Sequence, residues 1–125
     1  MKKKEIAIKA ILVEENMRKV EYIYLMVRKD LPSKEQCLVQ AAHAAMEAGI
    51  YFGKKTAEPY TFCVLQAENE SELKGFAEFL TLDGIAHRPF YEPDQDFEMT
   101  AVATEPITED KRRLFRTFEK FRFKK

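Results

Sequence analysis

The chain is predicted to be a single-domain, layered α/β/α fold around a four-stranded mixed, mostly parallel sheet. Three observations predict it. Tyr22-Ile-Tyr-Leu-Met-Val27 and Phe62-Cys-Val-Leu65 are apolar at successive positions, as in strands covered on both faces. Segments with apolar residues at helical spacing lie between them. The resulting order of strand, helix, strand, helix, strand, strand, helix is that of a sheet layered by helices. A length of 125 residues fits one domain with room for a real core. Residues 1 to 19 read as an N-terminal extension, helical over 5 to 17 or alternatively a strand given its isoleucines and valine, and part of the same unit. Residues 20 to 125 are the α/β domain.

The first strand is expected over Glu21 to Arg28. Asp30-Leu-Pro-Ser33 then turns the chain, with Ser33 or Asp30 as the N-cap of a helix running to Tyr51 or Phe52. Gly53 suits a left-handed closure of that helix. Tyr60 to Gln66 is the second strand. Asn69 and Glu72 form a capping-box pattern ahead of a helix burying Leu73, Phe76, Ala77 and Leu80, which Gly84 stops. Ile85 to Tyr91 is a strand that Pro89 confines to an edge or a strand end. Met99 to Thr104 is the fourth strand. Thr108 then caps a last helix that packs Leu114, Phe115, Phe118 and Phe121 inward.

The first helix carries a polar stripe. Gln36, Gln40, His43 and Glu47 share one edge, while Leu38, Val39, Ala41, Ala42, Ala44, Ala45 and Met46 suit a buried surface. A histidine beside two amides and a carboxylate can exchange a proton near neutral pH.

Composition limits the function classes. Hydrophobic residues make up 46%, with ten Phe and five Tyr, which argues against disorder. No apolar run is long enough to span a bilayer, and the Met-Lys-Lys-Lys start lacks a signal-peptide core, so a cytoplasmic protein without membrane contact is expected. Cys37 and Cys63 sit in apolar settings and read as buried free thiols. Two histidines and two cysteines give no zinc spacing, and no glycine-rich phosphate loop or nucleophile elbow is present, so no metal or cofactor is expected. Formal charge sums to zero. Its distribution is uneven, however: acids concentrate in 68 to 78 and 92 to 98, and the tail from Lys111 to Lys125 is dense in Lys and Arg with Glu119 as its single acid. A basic end of this kind can meet phosphates, or be a solvated helix face.

Val27-Arg-Lys-Asp-Leu followed by Gln40-Ala-Ala-His-Ala resembles the type-2 peptidyl-tRNA hydrolase family. That family opens with a strand, an R-x-D-L turn and a helix bearing G-K-x-x-x-Q-x-x-H-A. Thr100-Ala-Val-Ala-Thr-Glu-Pro is similar to its T-x-L-A-x-G-P strand. The resemblance spans residues 20 to 120. In the register of the family's glycine-lysine pair stand Glu35 and Gln36, with Lys34 just before them. Where the family carries D-A-G-x-T, this chain reads Phe90-Tyr-Glu-Pro-Asp-Gln-Asp, so the carboxylate comes from Asp94 or Glu92.

The resemblance implies metal-free and cofactor-free hydrolysis of the ester joining a peptide to the tRNA ribose, with tRNA or peptidyl-tRNA as partner. By it, Asp94 orients or deprotonates the attacking water, and Thr100 donates to the carbonyl or holds the carboxylate. His43 completes the catalytic set. Lys34, Gln36, Gln40, Arg28 and Glu92 line the substrate, Lys34 stabilising negative charge or contacting phosphate. Each of these residues also has a purely structural role open to it: His43 and Gln40 at a helix-sheet boundary, Thr100 through β-propensity, Asp30 as a turn acid, Asp94 in a solvated loop. Two alternatives to this esterase remain. One is a non-catalytic RNA- or protein-binding module on the same fold; the other is a small-molecule hydrolase. Apolar faces on residues 5 to 17 and on the last helix would suit a homodimer.

Overall fold

The computed structural model describes residues 20–54, 59–93, 96 and 98–121. The segment 5 to 17, Asp94 and the Phe121 side chain lie outside the described residues. The elements are β1 (Glu21–Arg28), α1 (Lys34–Phe52), β2 (Thr61–Ala67), α2 (Glu70–Leu82), β3 (His87–Glu92), β4 (Glu98–Thr104), β5 (Ile107–Thr108) and a 3₁₀ segment (Glu109–Phe121).

The sheet is mixed, as expected, but among the described residues it has five strands and is mostly antiparallel. Its order is β2-β1-β4-β3, with β5 also pairing to β1. Only β1–β2 is parallel; β1–β4, β3–β4 and β1–β5 are antiparallel. The cause is the short β3–β4 connection. It returns the chain as an antiparallel neighbour and inserts β4 between β1 and β3, so β3, which runs in the direction of β1, does not pair with it. Pro89 sits on the β3 edge, where a missing amide is tolerated.

Successive residues of β1 serve opposite faces. Ile23, Leu25 and Val27 pack with Ala101 and Ala103 of β4 against Ala44 and Ala48 of α1. Tyr24 and Met26 pack with Leu65, Val102 and Ile107 against Leu73, Phe76 and Leu80 of α2 and Phe115 of the 3₁₀ segment. Helices therefore cover both faces.

The expected buried surface of α1 holds for Ala41, Ala44 and Ala45 but not for Leu38, Val39, Ala42 and Met46. The buried side is an alanine side: Ala44 and Ala48 are fully buried, with Ala41 and Ala45 packed beside them. Leu38, Val39, Met46 and Ile50 are 45–69% exposed. Alanines facing alanines bring helix and sheet close, and larger side chains would not fit in that gap.

The caps follow the sequence in part. Ser33 Oγ accepts from Gln36 N–H at 3.1 Å. Asn69 Oδ1 accepts from Glu72 N–H at 2.9 Å, while Glu72 reaches back to Glu68 N–H rather than to that of Asn69. Gly84 has φ +69°, a left-handed stop that favours glycine. Gly53 is not left-handed; its φ is −65°. Glycine is needed there because a Cβ would run into the Gly49 carbonyl. The final segment winds as 3₁₀ rather than α, and Thr108 lies in β5, donating its hydroxyl to Asp110 instead of capping. Phe115 and Phe118 do pack inward, but Leu114 is 38% exposed. Three residues per turn put 115 and 118 on one ridge and leave 114 off it.

Candidate functional site

The polar stripe of α1 lies along β3, one polar or aromatic residue per turn against alternate strand residues. Glu47 meets Arg88 at 3.5 Å. The His43 ring stacks on Phe90, with centroids 4.4 Å apart and planes within 5°. Gln40 Nε2 donates to Glu92 Oε2 at 2.8 Å. A helical turn advances about 5.4 Å and two strand residues about 6.6 Å, so the match holds over this length.

Thr100 joins this seam through a β-bulge. Phe90 pairs with Ala101 and Tyr91 with Met99, which leaves Thr100 as the extra residue of β4. Regular alternation would turn Thr100 to the α2 face with Val102. The extra residue restores Met99 to that face and lets the Thr100 hydroxyl donate to Gln40 Oε1 at 2.7 Å. Thr100 is fully buried and Gln40 is 5% exposed. A relay results, from the Thr100 hydroxyl to the Gln40 amide to the half-buried Glu92 carboxylate.

Arg28 ends β1, the strand next to the one that carries Thr100, and bonds none of the relay residues. Its guanidinium clasps Asp30 through two bonds of 2.8 and 2.9 Å and donates to Glu98 at 2.8 Å. Glu98 precedes Met99, whose N–H donates to Glu70 at 2.8 Å. Arg28 thus ties the turn before α1 to the strand that carries Thr100, and two carboxylates already occupy it.

The structure thus brings Gln40, Glu92 and Thr100 into one hydrogen-bonded set, with His43 exposed on the next turn. Gln36 is half-buried two positions into the helix, and Lys34 is exposed on its first turn. The sequence reading did not single out Phe90, Arg88 or Glu98. Arg88 and Phe90 depend on which strand flanks α1, and Glu98 on which strand neighbours β1, and strand order carries no local signal.

Burial raises the Cys37 thiol above its ordinary value, so it is protonated at neutral pH; its Sγ donates to the Arg28 carbonyl. Among the described residues, no group of three or more His, Cys, Asp or Glu could hold a metal ion. None of the helices there is long and apolar enough to cross a membrane.

The Arg28 guanidinium holds the Asp30 carboxyl below the usual carboxylate range, and the Met99 N–H does the same for Glu70. In the unfolded chain both return to ordinary values near pH 4. Their contribution to stability is therefore complete above that pH and is lost as pH falls through the lower folded values. Melting temperature should fall as pH drops below about 4. Asp30→Asn should be less stable at pH 7 and show a shallower acid decline. A decline as steep as that of the parent would mean that this pair contributes nothing.

No protein-family model matches this chain, and a search of the curated proteins finds no match either.

Proposed function

We propose that the protein is a metal-free ester hydrolase of the peptidyl-tRNA hydrolase type, reacting beside the Thr100–Gln40–Glu92 relay. One observation supports this reading above the others. The helix stretch and the strand stretch that carry the resemblance meet through a single 2.7 Å bond, and a carboxylate from the acidic stretch is bound to the same amide.

In this proposal Glu92 takes a proton from water as the water oxygen attacks the ester carbonyl. The bond from carbonyl carbon to ribose oxygen breaks, and the proton held by Glu92 passes by way of the His43 imidazole to the departing ribose oxygen. Gln40 and Thr100 fix the carboxylate. Lys34 and Gln36, at the start of α1, meet negative charge on the tRNA end.

The test is release of peptide from an N-acylated aminoacyl-tRNA by the full chain. Glu92→Gln should lower kcat about 10²–10⁴-fold with KM little changed, the usual cost of losing a general base. Asp94→Asn serves as the companion variant. No release by the parent protein, or parental rates in both Glu92→Gln and His43→Ala, would reject the reading.

A specific observation favours the second reading, a non-catalytic RNA- or protein-binding module. Thr100 and Gln40 are buried, as a purely structural clasp would be. That reading expects salt-sensitive RNA binding without turnover.

A further inference from the structure

A second cluster lies on the opposite face of the sheet, under the 3₁₀ segment. A cavity of about 410 Å³ opens there, floored by Tyr24, Cys63 and Phe115 and walled by Arg112, Arg113 and Arg116. The 3₁₀ winding explains the crowding of cations. Residues three apart eclipse one another, so Arg113 and Arg116 stand on one ridge and Arg112 shares the next with Phe115.

Arg112 is held in place. Its Nε donates to the Tyr24 hydroxyl at 3.1 Å, its guanidinium lies 3.9 Å over the Tyr22 ring, and Glu109 lies 3.6 Å away. The two acids that also line the cavity are engaged: Glu109 with Arg112 and the Tyr22 hydroxyl, and Asp110 with the Thr108 hydroxyl. Arg113 and Arg116 are exposed and have no acidic partner among the described residues. Three guanidiniums against two carboxylates leave the lining net positive, and Arg113 and Arg116 are the cations placed to meet an incoming anion.

We propose that this cavity binds the phosphoryl group of a small phosphomonoester. Guanidinium forks match a phosphate's oxygens through paired, charge-assisted bonds. Inorganic phosphate would leave most of the hollow empty, whereas a phosphorylated small molecule suits a cavity of this size. The hollow is local, bounded by one stretch of the 3₁₀ segment, which favours a terminal phosphate over a nucleic-acid backbone that needs a continuous groove. The mainly polar lining leaves room for a hydroxylated organic part of the ligand.

The test is calorimetric titration of the full chain with ribose 5-phosphate, with inorganic phosphate and with a short single-stranded oligouridylate, each at ionic strength matched with chloride. Saturable binding of ribose 5-phosphate, stronger than that of inorganic phosphate, is expected. Arg113→Ala/Arg116→Ala should weaken it by roughly tenfold or more for each guanidinium removed. The Arg113→Lys/Arg116→Lys pair keeps the charge without the fork and should fall between. Both pairs change exposed residues, and melting in chloride checks that they fold. Glu92→Gln should bind as the parent does, which separates this site from the proposed esterase. The proposal is overturned by non-saturable binding, by equal binding in the alanine pair, or by arginine-dependent binding of the oligonucleotide alone.

Discussion

Phe76→Ala should lower the unfolding free energy by about 3–5 kcal/mol, the cost of removing a large aromatic side chain from a packed core. Phe76 is 1% exposed. Its ring lies 5.0 Å from that of Phe118 and 6.4 Å from those of Phe79 and Phe115. It joins α2 to the 3₁₀ segment, and through Phe115, stacked 3.9 Å from Tyr24, to the central strand. Domains of this size are stable by roughly 5–15 kcal/mol, so the variant should lie near the edge of folding at 37 °C. Chemical denaturation provides the measurement. Leu82→Ala, at a site 79% exposed, should change stability by no more than about 0.5 kcal/mol. A loss below about 1 kcal/mol at Phe76 would mean that the aromatic cluster is not close-packed.

Ala44→Leu should cost about 1–3 kcal/mol or slightly more, because overfilling a tight interface forces backbone shifts. Ala44 is fully buried against the face of the sheet that carries Ala101 and Ala103. The same substitution at Ala42, on the exposed side of α1, should be nearly neutral. The comparison keeps chemistry and helix constant and changes only the direction the side chain faces. Lifting α1 from the sheet should also part Gln40 from Thr100. If the relay is the reactive centre, Ala44→Leu should therefore lose peptide release even under conditions where it stays folded. Equal stability in the two variants would contradict the close alanine packing.

Much of the fold was legible because its signals are local. The apolar runs of β1 and β2, the Ser33 and Asn69 caps and the Gly84 stop are each encoded within a few residues. What was misread depends on distant partners. Leu38 and Met46 look like core residues because leucine and methionine outrank alanine in hydrophobicity. The depth of the gap is set instead by Ala101 and Ala103, far along the chain. The mostly parallel expectation failed because strand direction can be inferred from connections, but adjacency cannot. The bulge at Thr100 appears only when β4 is laid against β3. For the candidate site, the Gln40, Glu92 and Thr100 positions were readable as a pattern; the bond order joining them was not. Phe90 and Glu98 were missed because an edge strand and a loop end carry no motif.

The alanine face of α1 has a mechanical consequence. Where Ala44 and Ala48 meet Ala101 and Ala103, methyl groups interlock weakly, and Ile23, Leu25 and Val27 supply most of the relief against which the helix can seat. Directional bonds add to that setting: Glu47 with Arg88 and Gln40 with Glu92 along β3, and Thr100 with Gln40 from β4. They act as detents, and cutting all three should loosen the helix along its axis while the layers stay in contact.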